Sequence, residues 1–229
     1  LRAKPAMTPN PKLEEARELL ARESPEGAEK LLRELYEGGA RGFEVVIEMV
    51  LAYLQLGDDA QARHYLATAE KLRPRHSRVC CYRGFFQLSA GRPERALDLF
   101  NAALGADAAN IDAYKWRGLC YREQGQFGRA LADLDRAVLH RRNDPTLYVN
   151  RGTVYADLGE LERALEDFLH ASTLAERHAH PHFNAAHVLA RLERFDEAIE
   201  HYDLAIEIDY TSFESWLGLG TVLMIRQEW

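Results

Sequence analysis

The chain has 229 residues, 47% of them hydrophobic and 28% charged, within the ordinary range for a chain that folds in water. A formal net charge of -7 argues against nucleic acid as a partner, because phosphate binding wants clustered Lys and Arg. Three cysteines, with Cys80 and Cys81 adjacent and Cys120 apart, give neither a disulfide framework nor a CxxC pair, so reduced thiols and a cytoplasmic location are expected.

No membrane partner is expected either. The most apolar stretch, 45–56, is interrupted by Glu48 and Gln55 and is too short to span a bilayer. The N-terminal LRAKPAMTPNP carries no apolar core of a signal peptide. The first residue is Leu1 rather than Met, and Trp229 falls where a further helix should begin, so the chain reads as a piece of a longer one.

Residues 1–8 are polar, contain Pro5 and are expected to be disordered. Residues 9–42 read as a degenerate copy of the unit that follows, with helices over about 11–22 and 25–37 and with Gly38, Gly39 and Gly42 loosening its exit. From there a period of 34 residues takes over. One column runs Gly84, Gly118, Gly152, Ala186 and Gly220. Two more are alanine throughout, Ala62 to Ala198 and Ala69 to Ala205. A bulky column runs Leu66, Phe100, Leu134, Phe168 and Tyr202. A turn column runs Gly57, Gly91, Gly125 and Gly159 and is broken by Glu193.

Each column has a physical reason. The segments before and after each turn glycine carry apolar residues at helical spacing. The glycine between them can take the positive φ that ends a helix. Small residues let paired helices approach, and the bulky column fills the space they leave. The period divides the chain into five units at 43–76, 77–110, 111–144, 145–178 and 179–212, and 213–229 supplies one more first helix. That last helix, expected over 211–226, would cap the preceding unit and offers a route to a homo-oligomer.

The strings YKWRGLCYREQGQFGRALADLDRAVLHRRND and YVNRGTVYADLGELERALEDFLHASTLAERH resemble the tetratricopeptide repeat, and the resemblance covers nearly all of the chain. It implies an all-α solenoid of about thirteen antiparallel helices wound as a right-handed superhelix. It also implies that the first helices line a concave groove that holds another protein or a peptide. Carried over residue by residue, the groove residues expected to bind are Tyr82, Phe85, Lys115, Trp116, Arg122, Asn150, Asn184 and His187. Tyr82, Phe85, Trp116 and Phe183 are candidate exposed aromatics, the side chains from which binding hot spots are built. Asn150 and Asn184 can each offer a peptide backbone a donor and an acceptor. Some members of the family hold acidic C-terminal peptides in a carboxylate clamp. Only Lys115 and Asn150 match two of its five places, which leaves too few cations for paired carboxylates.

Departures from the family pattern are equally specific. Arg83, Arg117 and Arg151 precede the glycine column and should each pair with an acid or project to solvent. Acidic residues such as Glu160, Glu162, Glu166 and Asp167 read as solvated outer faces. His178, His180, His182 and His187 lie within ten residues, but they straddle a turn and lack acids at ligand spacing, so no metal site and no cofactor are expected. His180 and His187 on the groove side could make binding sensitive to pH near neutrality. No nucleophile elbow, HExxH, P-loop or dinucleotide fingerprint is present. The expectation is an interaction scaffold without catalysis. The alternatives are the docking domain of a larger enzyme such as a transferase, or a structural subunit of an assembly.

Overall fold

A computed structural model describes residues 10–22 and 24–226. Among them are thirteen α-helices and no strand. The expectation of disorder for residues 1–8 concerns positions outside those described. The helices run in order α1 (Pro11–Ala21), α2 (Pro25–Glu37), α3 (Phe43–Gln55), α4 (Asp59–Leu72), α5 (Ser77–Ser89), α6 (Pro93–Ala106), α7 (Ile111–Glu123), α8 (Phe127–His140), α9 (Pro145–Leu158), α10 (Leu161–Leu174), α11 (Ala179–Arg191), α12 (Phe195–Ile208) and α13 (Phe213–Ile225). The chain divides into two compact units, one ending at Asn110 with α1 to α6 and one starting at Ile111 with α7 to α13.

The helix ends follow from local chemistry. Asp58 accepts from the Gln61 amide at 3.0 Å and Asp144 from the Thr146 amide at 3.0 Å, each taking up an orphan donor of the first turn. Pro11, Pro25, Pro93 and Pro145 open their helices, where a missing N–H costs nothing. At the other end Gly57, Gly91, Gly125 and Gly159 take φ between 69° and 79°. The residue after each glycine donates back across five residues, as in Gln126 N to Tyr121 O at 2.8 Å, which closes a Schellman cap. Glu193 breaks the glycine column yet keeps the turn: its φ is 59°, and Arg194 N donates to Leu189 O at 3.0 Å.

In the first unit α3 is buried along most of its length against α1, α2 and α4. In both units the small-residue columns do the close packing. Ala62, Ala96, Ala130, Ala164 and Ala198 are all fully buried. The glycines of the first helices are seats for the bulky residue of the second. A Cβ at Gly84 would stand 2.6 Å from Phe100 Cε1, at Gly118 3.1 Å from Leu134 Cγ, and at Gly152 2.9 Å from Phe168 Cε1. In the second unit the first helices touch in succession, α7 with α9 and α9 with α11, and α13 packs on α12 and α11.

Candidate partner-binding face

The expected groove residues fall in both units. In the first unit the dominant feature is an acid inside the packing. Glu48, the interruption in the apolar stretch of α3, is 4% exposed and is gripped from two other helices. Arg78 of α5 holds both of its oxygens at 2.7 Å, and Arg17 Nε of α1 reaches Oε1 at 2.8 Å. Burial alone would push the Glu48 carboxyl up, but the bonds and charges of Arg78, then Arg17, outweigh it and hold the group below its ordinary range.

That network corrects the expectation for Tyr82. Its ring was a candidate exposed aromatic, but it is 4% exposed and its hydroxyl accepts from Arg78 Nη2 at 3.1 Å. The residue is a wall of the ion-pair pocket, because Arg78 must lie over it to reach Glu48. Phe85, one turn on, is half-buried and edge-on to Phe86 at 5.3 Å between centroids.

In the second unit α7, α9 and α11 bring Lys115, Trp116, Arg122, Asn150, Asn184 and His187 onto adjacent first helices. The cations among them are already engaged. Lys115 Nζ lies 4.8 Å from the Trp116 ring centroid and 3.8 Å from Asp112 Oδ1. Arg122 Nε on α7 donates to Asp157 Oδ2 on α9 at 2.6 Å. Arg191 of α11 reaches back to the Ala156 carbonyl of α9 at 3.2 Å. These links lace the first helices together and neutralise much of their charge.

The polar groups between them are more open. Among the described residues the half-buried Asn150 carboxamide has no hydrogen-bond partner. Asn184 Nδ2 stands 3.4 Å from His180 Nδ1, and the exposed His187 stacks on Phe183 at 6.4 Å. The surrounding protein pushes His180 and His187 down from the ordinary imidazole value, with Arg191 adding to the shift at His187, so both are neutral at pH 7. Their titration therefore lies on the acid side of the range expected from unperturbed imidazoles.

The arginine column has a structural answer. Arg117 Nε and Nη2 hold Asp133 at 2.7 and 2.8 Å, and Arg151 holds Asp167 at 2.8 and 2.7 Å. Both aspartates are 5% exposed, so Asp167 is a buried ion-pair partner and not part of a solvated face. The signal was present in the sequence: each pair is separated by 16 residues and repeats after 34. One repeat later Ala185 stands in the arginine place and His201 in the aspartate place. His201 turns to His182, Nδ1 to Nδ1 at 3.1 Å.

Cys80, Cys81 and Cys120 are free thiols, and all three are buried. Burial pushes the Cys120 thiol up to about 12 and raises Cys80, which leaves both as unreactive thiols at neutral pH. Among the described residues no three His, Cys, Asp or Glu side chains come together as metal ligands, and no helix is long and apolar enough to cross a membrane.

Three family models, each described as tetratricopeptide repeat, match residues 47–111, 87–150 and 143–211. A comparison with curated proteins finds no match. Among solved structures, one similar chain is from the APC/C hetero-tetramer Cut9–Hcn1, with a TM-score of 0.82 at 15% identity, over 93% of this chain and 42% of that one. This chain thus spans well under half of that relative. A thermophilic TPR protein of Thermus thermophilus has a TM-score of 0.65 at 21% identity, over 80% of this chain and 100% of that one. YrrB, a TPR protein with an unusual peptide-binding site, has a TM-score of 0.57 at 23% identity, over 81% and 96%. At these identities the likeness is one of fold.

Proposed function

This chain belongs to the tetratricopeptide repeat family, whose fold is that of protein–protein interaction scaffolds, and from that premise we propose that it holds an extended segment of another protein along α7, α9 and α11. The observation that carries the reading is the Asn150 carboxamide, half-buried on the middle helix and without a partner among the described residues. A peptide backbone laid beside it would satisfy both its donor and its acceptor. Trp116 on α7, and Asn184 and His187 on α11, flank it. Phe85 of α5 is the corresponding candidate in the first unit.

The chemistry of the partner follows from charge. Lys115 is shared with Asp112, and Arg122 with Asp157, so the face does not select an acidic peptide. It suits a neutral segment with apolar side chains that rest on Trp116 and Phe183. The repeat boundaries that go with this reading are 43–76, 77–110, 111–144, 145–178 and 179–212, with 9–42 as a degenerate repeat.

The test is affinity capture from a native lysate with the wild-type chain and with the Trp116→Ala, Asn150→Ala variant. Capture of the same partner should fall about tenfold or more, as for a central aromatic hot spot, while helicity stays intact. Equal capture by a folded variant would place the binding face elsewhere.

A further inference from the structure

The groove candidates all lie on first helices of the pairs. In the first unit the second helices α2 and α4 both pack on α3, and an open trough of about 440 Å³ lies between them. Three tyrosines line it. Tyr53 of α3 stacks on Tyr65 of α4, with 5.5 Å between centroids and 3° between planes. Tyr36 of α2 meets Tyr65 edge-on at 5.6 Å. Tyr53 is buried, whereas Tyr36 and Tyr65 are half-buried and open to the trough.

The 34-residue period explains why these rings gather here. In α8 and α10 the place of Tyr65 is held by Asp133 and Asp167, each drawn into its ion pair with Arg117 or Arg151. In α3 the place of those arginines is Met49. With no guanidinium to hold, α4 carries Tyr65 instead, and its ring lies on Tyr53. The place of Tyr36 is Leu104 in α6 and Val138 in α8, and Leu99 of α6 stands in the place of Tyr65. Among the described residues the three tyrosines therefore coincide only between α2 and α4.

The rim decides what such a trough can hold. It does not suit a bare cation, because Arg41 already lies over the Tyr36 ring at 5.3 Å and Arg33 donates to the Tyr53 hydroxyl at 3.5 Å. It does not suit an anion, because Arg33 is paired with Glu29, and Glu37 and Asp58 stand on the same rim. A flat, uncharged, apolar ligand remains. The Tyr36 and Tyr65 hydroxyls and the Gln61 carboxamide line the trough without a hydrogen-bond partner among the described residues, and all three can donate to a carbonyl. A polyproline II segment fits this chemistry. Its proline rings rest on aromatic side chains, its carbonyls make no internal hydrogen bonds, and its prolines bring no N–H that needs an acceptor. One turn of it rises about 9 Å, the scale of three rings whose successive centroids are 5.6 and 5.5 Å apart. Asp58 spends one oxygen on the Gln61 amide at 3.0 Å, which leaves the other for a basic residue beside the prolines.

We propose that the trough between α2 and α4 binds a proline-rich segment of another protein in the polyproline II conformation, with an arginine or lysine of that segment at Asp58. The prolines rest on Tyr36 and Tyr65, and the two hydroxyls and Gln61 donate to the carbonyls between them. This site is separate from α7, α9 and α11 and takes a different kind of segment, so one chain can hold two ligands.

The test is fluorescence anisotropy with labelled, end-capped hexaproline that carries an arginine at its N-terminal or its C-terminal end. One of the two should saturate the wild-type chain, and a Gly-Ser peptide of the same length and charge should not. Tyr36→Leu with Tyr65→Leu should weaken binding about tenfold or more, as for the loss of central aromatic anchors. Those leucines are the residues that Leu104 and Leu99 supply at the same places in later repeats, so the variant should keep the wild-type circular dichroism. Gln61→Ala, at an exposed position, should weaken binding about two- to tenfold through a lost hydrogen bond, which keeps the test decisive should the double variant unfold. Asp58→Asn keeps a capping side chain. It should weaken the arginine-tailed peptide about two- to fivefold, as a rim ion pair does, and leave plain hexaproline unchanged. The Trp116→Ala, Asn150→Ala chain should bind as wild type does, so failure here is separate from failure of the groove proposal. Four results overturn the proposal: no binding of either peptide to the folded wild-type chain; equal binding of the Gly-Ser peptide; equal binding by the folded double-leucine variant and by Gln61→Ala; or saturable binding of a trimethyl-lysine peptide that hexaproline does not displace, which would give the trough to a quaternary ammonium.

Discussion

Glu193 holds a backbone conformation that four of its counterparts assign to glycine, and replacing it should stabilise the chain. Its φ of 59° lies in the left-handed region, which costs an L-residue roughly 1–2 kcal/mol. Glycine removes that cost but loses about 0.5–1 kcal/mol more conformational freedom on folding. The net gain expected from Glu193→Gly is therefore about 0.5–1 kcal/mol. The reverse substitution is free of steric confusion, because a Cβ at Gly159 would meet nothing within 4 Å. Gly159→Glu should lose a similar amount. For a chain of this size about 1 kcal/mol moves the melting temperature by roughly 2–4 °C, so the two variants should melt on opposite sides of wild type. Amide exchange at Arg194, whose N–H closes the cap on Leu189 O at 3.0 Å, gives a local readout. If Glu193→Gly melts no higher than wild type and Gly159→Glu melts no lower, the left-handed strain assigned to this turn is wrong.

Two further outcomes follow from the buried charges. Asp167→Ala should destabilise by about 3 kcal/mol, the low end for a broken buried pair, since Asp135 still holds Arg151 at 2.8 Å; urea unfolding should show Arg151→Met with Asp167→Leu recovering most of that loss, and no recovery would mean the charge was never the cost. Burial lowers His182, with His201 adding to it, and burial lowers His201 against the pull of Glu200 and Glu197. The unfolded chain therefore takes up protons first, and stability should be full above about 6.5 and fall as the pH drops through the window below it. Urea midpoints at about pH 7.5 and about pH 5.5 should differ for wild type and differ less for Ala185→Arg with His201→Asp, which installs the ion pair of the two preceding repeats.

The all-α fold was legible because its determinants are local and periodic. Small residues that let helices touch, and glycines that end them, recur at a fixed step, and a step can be counted without knowing the structure. Glu193 shows where counting stops. The turn persists there because Arg194 and Leu189 close it, a bond that the residue type at 193 does not announce. Tyr82 was misread for a related reason. Its burial depends on Arg78 crossing to Glu48, and Glu48 looked like a break in an apolar run rather than an anchor for two arginines. Asp167 looked solvated because its partner lies on the opposite helix of the pair, 16 residues back.

The arginine and aspartate places connect these points. They change together from one repeat to the next within a single chain, from Arg117 with Asp133 and Arg151 with Asp167 to Ala185 with His201. In α5 the arginine place is kept without the aspartate: Leu99 stands opposite, and the more exposed Arg83 pairs with Glu70 at 2.9 Å instead, whereas a buried guanidinium left without its acid would cost about 3–5 kcal/mol. The interior of the second unit thus passes from charged to neutral pairing along the chain, from Arg117 with Asp133 to Ala185 with His201.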